Sequence, residues 1–404
     1  MKQTPRKVLI VFGTRPEAIK MAPVIQALRA ADDFFRVTVA VTAQHREMLD
    51  QVLRLFGIVP EYDLNLMRED QTLFEVTARV LQELEPVLRE VRPDIVLVHG
   101  DTTTTFAAAL AAFYLKIAVG HVEAGLRTGE KYAPFPEEIN RRLAAVLTDL
   151  HFAPTVRART ALLQEGIAPE KILVTGNTVI DALYQVVRPD HRFEDPVIAA
   201  AVESGHRLLL VTTHRRENWG EPLASVYRAL KRLILAYPDV AVVFPVHRNP
   251  LVRQTVREVF TACSRVYLTE PLPYGEFANL MARSFLVLTD SGGLQEEAPA
   301  LGKPVLVLRA VTERPEALEA GTVELVGTGE ECVFNAAARL LSDSGAYRRM
   351  AAAVNPYGDG RAAERVTAGL RNYFGLGPRP EEFSPTSSVG HKVFPVPVGE
   401  RKNF

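Results

Sequence analysis

Short apolar runs rich in β-branched residues recur along the chain at 8–12, 37–41, 94–100, 116–123 and 171–177. They return at 207–213, 240–247, 265–270, 285–290 and 304–309. A run without polar alternation is how a strand covered on both faces of a parallel sheet reads. Helical patterns fill the gaps, as at 16–31, 45–57 and 102–115. The alternation predicts an α/β fold with parallel sheets covered by helices. About ten strands is too many for one open sheet of ordinary size. Two Rossmann-like, doubly wound domains are therefore expected, facing a cleft, since ligands of such sheets bind beyond the carboxyl ends of the strands.

The polar stretch 186–207, with Pro189 and Pro196, separates two of these strands and marks the boundary. The expected domains are 1–185 and 186–360, followed by a helix at 361–376. The remainder, 377–404, is rich in Pro, Ser and Gly without a period, and reads as a flexible tail. A chain of 404 residues can fill two such cores without disulfide or metal staples. Its 47 basic and 48 acidic side chains leave a net charge of −1, not the basic excess that nucleic-acid binding needs. Two cysteines, Cys263 and Cys332, make neither a disulfide framework nor a Cys-rich zinc site, so a reducing cytoplasm is the expected compartment. No apolar run reaches the ~18 residues of a membrane span, and no membrane partner is expected. The basic start leads only into 8–12, which is too short for a signal sequence and reads as a first buried strand.

Polar residues collect where the strands end. After 8–12 comes GTRPEAIK, with Arg15 and Lys20 near a helix start. That arrangement suits an anion, or equally a capped turn with solvated charges, because it is neither GxGxxG nor a Walker loop. Asp101 follows 94–100 and either caps the next helix or stands as a rigid carboxylate at the cleft edge. Glu123 ends 116–123; His99 and His121, within or near these strands, read as core histidines. In a helix starting near Pro136, Ile139, Leu143, Val146, Leu147 and Leu150 share one face. Glu137 and Arg141 fall opposite, as a surface i,i+4 pair or pointing at a cleft. In the second half His214, Arg215 and Arg216 follow 207–213. Ser291, Gly292 and Gly293 follow 285–290 and lead a helix carrying Glu296 and Glu297, and Arg314 precedes a further helix start. Glycines let a backbone approach phosphate, and Glu297 one turn in can accept sugar hydroxyls. A plain Gly turn with a first-turn Glu is the other reading. Their joint placement after strands in both halves says more than any one of them.

FGTRPEAIKMAP, TAQHREMLDQ, VHGDTTTT, GHVEAGLRTG, PEEINR, HRREN, TDSGGLQEEAP and TERPEAL occur in this order over about residues 8–374. Together they resemble the non-hydrolysing UDP-N-acetylglucosamine 2-epimerases. The resemblance implies the glycosyltransferase-B architecture, with the C-terminal helix crossing back to the first domain, and a homodimer. It implies reversible interconversion of UDP-GlcNAc and UDP-ManNAc, feeding cell-envelope polysaccharides. By motif, Asp101, Glu123 and Glu137 would be the acidic catalytic residues, with Arg141 supporting Glu137. Arg15 and Lys20 would meet the nucleotide phosphates, and His214 the pyrophosphate and sugar. Ser291, Gly292 and Gly293 would cradle the diphosphate, Glu297 the ribose, Arg314 the substrate and Phe277 the uracil.

The implied chemistry eliminates UDP anti, giving 2-acetamidoglucal, and adds it back with a proton on the other face. That needs a carboxylate base, a proton donor and cations for the departing diphosphate. No metal is obligatory and no step uses NAD, so no cofactor is expected. In some relatives a second substrate molecule activates the first. Its contacts match Gln44, Glu137, Arg215 and His247 here, but Glu47 and Asp70 replace a neutral amide and a cation, so activation is expected to be weak or absent. The competing readings are a glycosyltransferase of the same architecture, a hydrolysing epimerase releasing free ManNAc, and a non-catalytic UDP-sugar sensor.

Overall fold

The computed structural model describes residues 4–43, 46–66, 68 and 71–385 of the chain. It divides into two compact units, one running through Tyr184 and resuming at Tyr357–Ser384, the other starting at Gln185 and running to Pro356. In the first, strand and helix alternate as β1 (Arg6–Phe12), α1 (Arg15–Ala30), β2 (Phe35–Val41), α2 (Arg46–Leu55), β3 (Tyr62–Asp63) and α3 (Leu73–Val91). Next come β4 (Ile95–His99), α4 (Thr103–Tyr114), β5 (Ala118–Val122) and α5 (Glu137–Leu147). The unit continues with β6 (Leu150–Ala153), α6 (Val156–Gln164), β7 (Ile172–Val174) and α7 (Thr178–Val186). Its strands make one parallel sheet in the order β3-β2-β1-β4-β5-β6-β7.

The second unit opens with α8 (Pro196–Glu203), β8 (Arg207–Thr212), α9 (Glu221–Ala236), β9 (Val240–Pro245), α10 (Pro250–Val259) and β10 (Val266–Thr269). Then follow α11 (Tyr274–Arg283), β11 (Leu286–Thr289), α12 (Leu294–Ala300), β12 (Val305–Val307), α13 (Pro315–Glu319) and β13 (Val323–Leu325). Two helices close it, α14 (Glu330–Ser342) and α15 (Ser344–Ala351). Its parallel sheet has the order β10-β9-β8-β11-β12-β13. In both sheets the order reverses beside the first strand of the unit, where the loops after neighbouring strands diverge and leave room for a ligand.

Each expected apolar run holds a strand, and the structure adds β3, β6 and β13. Of these, β3 and β13 are two- and three-residue edge strands. In β6 the buried His151 interrupts the apolar pattern. Leu150, expected on the α5 face, lies in this strand.

After the second unit the chain returns to the first as α16 (Ala362–Tyr373), which packs on α1. Asp181 of α7 caps it, accepting from the amides of Ala362 at 3.1 Å and Ala363 at 2.8 Å. The expectation of a flexible tail is corrected at its start. Arg379 donates to the Ile172 carbonyl at 2.6 Å, and the Phe383 amide to that of Val174 at 2.8 Å. The buried Phe383 ring sits under the Arg365 guanidinium. One guanidinium and one backbone amide donating to β7 carbonyls, with one aromatic anchor, fix a segment whose composition reads as loose. Residues from 386 onward lie outside the described residues.

Burial pushes the Asp181 carboxyl up to about 7, despite the two amides it accepts from. The folded unit therefore keeps this proton between pH ~4 and ~7, where the unfolded chain has lost it, and stability falls as pH rises across that window. Urea unfolding at pH 4.5 and 7.5 should show this loss, of the order of 2–4 kcal/mol from this group. Asp181→Asn should flatten the slope; an unchanged slope would assign it to other groups.

Candidate active site

In the first unit the candidate groups gather at the carboxyl ends of β1, β4, β5 and β7. Asp101 lies just beyond β4, and its Oδ2 accepts from Arg141 Nε at 2.9 Å and Nη2 at 2.7 Å. Asn140 donates to the Asp101 carbonyl at 3.0 Å. Both partners come from the buried face of α5, which is its polar one: Glu138, Asn140 and Arg141 are covered, while Leu143 and Val146 are exposed. The amphipathic reading of this helix is thus inverted, because its polar side chains serve the strand ends. The resemblance implies that Arg141 supports Glu137; in the structure it pairs instead with Asp101 and, at 3.3 Å, with Glu138. Glu138 also accepts from the amides of Thr128 and Gly129. Burial opposes its charge, but these amides and Arg141 win and hold it below the usual carboxylate range. Glu137 is half-buried, with an Oε2 that is covered and accepts no hydrogen bond.

Glu123 follows β5 with φ of +63°, a left-handed backbone that costs a non-glycine residue roughly 1–2 kcal/mol. Its Oε2 is held by Lys20 Nζ, from the second turn of α1, and by Asn177 Nδ2, from just beyond β7, at 2.7 Å. The nearby Gly125, at φ +91°, has no room for a side chain, since a Cβ would stand 2.3 Å from the Ala158 carbonyl. Arg15 is the first residue of α1. Two amides at that helix start, of Gly13 and Thr14, already donate to the buried Glu17 carboxylate at 3.0 and 2.8 Å. The expected anion site there has therefore lost two donors to the chain itself. Burial raises the Glu17 pKa even so.

Three histidines lie beneath these acids. His121 and His151 are direct cross-strand neighbours on β5 and β6, and His99 ends β4. Burial pulls all three down, His99 and His151 to about 3 and His121 to about 4. They are neutral at physiological pH.

In the second unit the fully buried Asp290, just past β11, organises the loop after β8. It accepts from His214 Nδ1 at 2.9 Å and from the amides of His214 at 3.0 Å and Arg215 at 2.9 Å. Burial would raise its pKa, but the His214 ring and these amides together hold it below the ordinary value. The half-exposed His214 ring is thereby fixed with Nδ1 toward Asp290 and Nε2 available to a ligand. Ser291 and Gly292 are partly covered; the Ser291 amide donates to Thr289 Oγ1, and a Cβ on Gly292 would meet no atom within 4 Å. Gly293 caps α12. Glu297 accepts from Tyr274 Oη at 3.0 Å. Burial, then the Glu297 charge, push that phenol well above its usual value. Phe277 stands one turn along α11 from Tyr274. Arg314, the cap of α13, is ion-paired with buried Glu296.

Each unit thus brings its own set together. Missed by the sequence reading were Asp290, Tyr274, Asn177 and Glu17. Asp290 had a signal, a carboxylate closing an apolar strand, and Glu17 sits in a T-x-x-E capping pattern. Asn177 and Tyr274 had none. Of the regulatory set, Arg215 pairs with Glu313 at 3.4 Å, His247 is exposed after β9 and Glu47 is exposed on α2. Gln44 and Asp70 lie outside the described residues.

A family model described as UDP-N-acetylglucosamine 2-epimerase matches residues 26–371. The UDP-N-acetylglucosamine 2-epimerase of Bacillus subtilis is 53% identical over 91% of this chain and 96% of its own. The Staphylococcus aureus MnaA structure with UDP superposes with a TM-score of 0.85 at 47% identity, covering 94% of this chain and 100% of that one. The Neisseria meningitidis UDP-GlcNAc 2-epimerase bound to UDP-GlcNAc gives 0.80 at 49%, covering 91% and 100%.

Proposed function

The chain belongs to the UDP-N-acetylglucosamine 2-epimerase family and is an isomerase, and on that premise we propose that it interconverts UDP-GlcNAc and UDP-ManNAc by elimination and re-addition of UDP. The observation that carries this is the pair of carboxylates at the ends of adjacent strands, Asp101 and Glu123, each braced by a cation, Arg141 and Lys20. Plain binding of an anionic ligand gains nothing from such acids.

In the forward step a carboxylate of the set Asp101, Glu123 and Glu137 takes the C2 proton. The C2–H electrons form the C1=C2 bond of 2-acetamidoglucal, and the C1–O pair leaves with UDP. Re-addition forms C1–O again while a second acid delivers a proton to the opposite face of C2. His214 and Arg314 meet the charge that develops on the diphosphate, together with Arg15. Ser291, Gly292 and Gly293 form its cradle, Glu297 takes the ribose and Phe277 the uracil. The product suits cell-envelope polysaccharide synthesis in the cytoplasm. The free thiols of Cys263 and Cys332 support a reducing compartment. No helix among the described residues is long and apolar enough to cross a membrane.

Epimerisation in D₂O should place deuterium at C2 of the product. Oxygen-18 in the C1–O–P bridge should scramble into non-bridging positions. Product that retains protium with the label fixed would overturn elimination. An acceptor requirement, or release of free ManNAc, would support the competing enzymes.

We further propose a homodimer. Packed together, α4 and α5 leave Phe113, Tyr114, Leu143 and Val146 exposed by 57%, 66%, 42% and 81%. An apolar surface of this kind is one that a second copy would cover. Val146→Asp should weaken self-association at least ~10-fold in sedimentation. An unchanged dimer would place the interface elsewhere.

A further inference from the structure

His99 is 3% exposed at the end of β4, and neither ring nitrogen makes a hydrogen bond. That is costly, since a neutral imidazole always carries one N–H, and leaving it unmet in the interior forfeits the hydrogen bond it would make to water. Its neighbour His121 is satisfied, with Nε2 at 2.7 Å from the Gly100 carbonyl. The carbonyl of His99 itself accepts from Thr105 Oγ1, which locks the backbone beneath the ring. The acceptor facing His99 Nε2 is Glu123 Oε1, at 4.0 Å. Oε1 also lies over Gly100, where a Cβ would stand 3.7 Å from it. The other oxygen, Oε2, is bound to Lys20 and Asn177.

We propose that His99 is a positioning residue for Glu123: its Nε2–H closes on Oε1 and favours the ionised carboxylate. This inference rests on the reading of Glu123 as an acid–base group. The charged and titratable groups around the pair are Lys20 and Glu17 from α1 and His121 from β5. Glu17 is occupied with the hydroxyls of Thr102 and Thr105 and with two amides. Burial keeps the His99 ring neutral, so it offers a dipole rather than a competing charge. The gap is about one ångström longer than a hydrogen bond, a distance that a small shift of the Glu123 side chain covers. Glu123 thereby has a cation on one oxygen and a neutral donor under the other, which leaves the carboxylate oriented before the proton moves.

The test uses the full-length enzyme in two ways. In wild type labelled with ¹⁵N-histidine, the His99 ring, assigned through His99→Gln, should show a protonated Nε2 from pH 5 to 9 with and without UDP. In kinetics, His99→Leu removes the donor and should move the limb of the kcat–pH profile that reports Glu123 upward by about one pH unit. His99→Gln, whose amide nitrogen reaches the same place, should return that limb toward wild type, with KM changed less than threefold in both, about the noise of a conservative substitution. A ring protonated on Nδ1 with a bare Nε2 would overturn the proposal, whether or not the variants fold. Wild-type limbs in both variants, or equal loss in both at all pH values, would overturn it as well. Failure of wild type to epimerise would count against the proposed function alone, since the tautomer is read without turnover.

Discussion

Glu123→Gln, Asp101→Asn and Glu137→Gln should each lower kcat for C2 epimerisation by at least ~100-fold, the scale of losing an acid–base group. Each change keeps the size of the side chain and removes its capacity to take or deliver a proton. UDP affinity, read by calorimetry, should survive, because the groups assigned to the nucleotide lie chiefly in the second unit. The three differ in what else they disturb. Glu137 Oε2 accepts no hydrogen bond, so Glu137→Gln should leave the melting temperature unchanged. Asp101→Asn keeps an acceptor for Arg141, which retains Glu138. Glu123→Gln leaves Lys20 beside a neutral amide and should lower the melting temperature as well as kcat. Rates near wild type in all three would put the chemistry elsewhere in the molecule.

The backbone plan was legible because burial on both faces of a parallel sheet leaves a strong mark, an unbroken apolar run. Where that mark fails the reading failed too: β6 carries His151 in its middle, and β3 and β13 are too short to form a run. The stripe on α5 misled for a different reason. Periodicity reports that a helix has two faces, not which one meets the sheet. Here the face with Glu138, Asn140 and Arg141 turns inward to hold Asp101 and the loop at 128–129. Strand-end position was the useful signal for the candidate site, since Asp101, Glu123, His214 and the Ser291–Gly293 turn all lie just beyond strands of the two sheets. Partners supplied from distant segments, such as Asn177 for Glu123 or Tyr274 for Glu297, leave no local pattern, because their role exists only once the sheet has brought strand ends together.

His214→Asn should lower kcat by about 10²–10³, the range seen when a preorganised donor to developing negative charge is removed. Asp290→Asn should cost nearly as much without altering any group that touches substrate. Its carboxylate accepts from His214 Nδ1 and from the His214 and Arg215 amides, so it sets both the tautomer of the ring and the path of the loop. An amide there faces the same donors with only one acceptor oxygen, and Nδ1 loses its reason to hold the proton. Two residues acting as one unit predict strong non-additivity: the double variant should be no more than a few-fold slower than the worse single one. UDP affinity should fall less than about tenfold in each, because binding of the product diphosphate is shared with the glycine turn, Arg314 and Arg15, whereas the His214 contact strengthens as charge develops in the transition state. Circular dichroism and calorimetry on Asp290→Asn separate a lost fold from a lost tautomer. If Asp290→Asn turned over at the wild-type rate while His214→Asn did not, the orienting role of the buried carboxylate would be wrong. If the two losses multiplied in the double variant, His214 and Asp290 would serve separate steps.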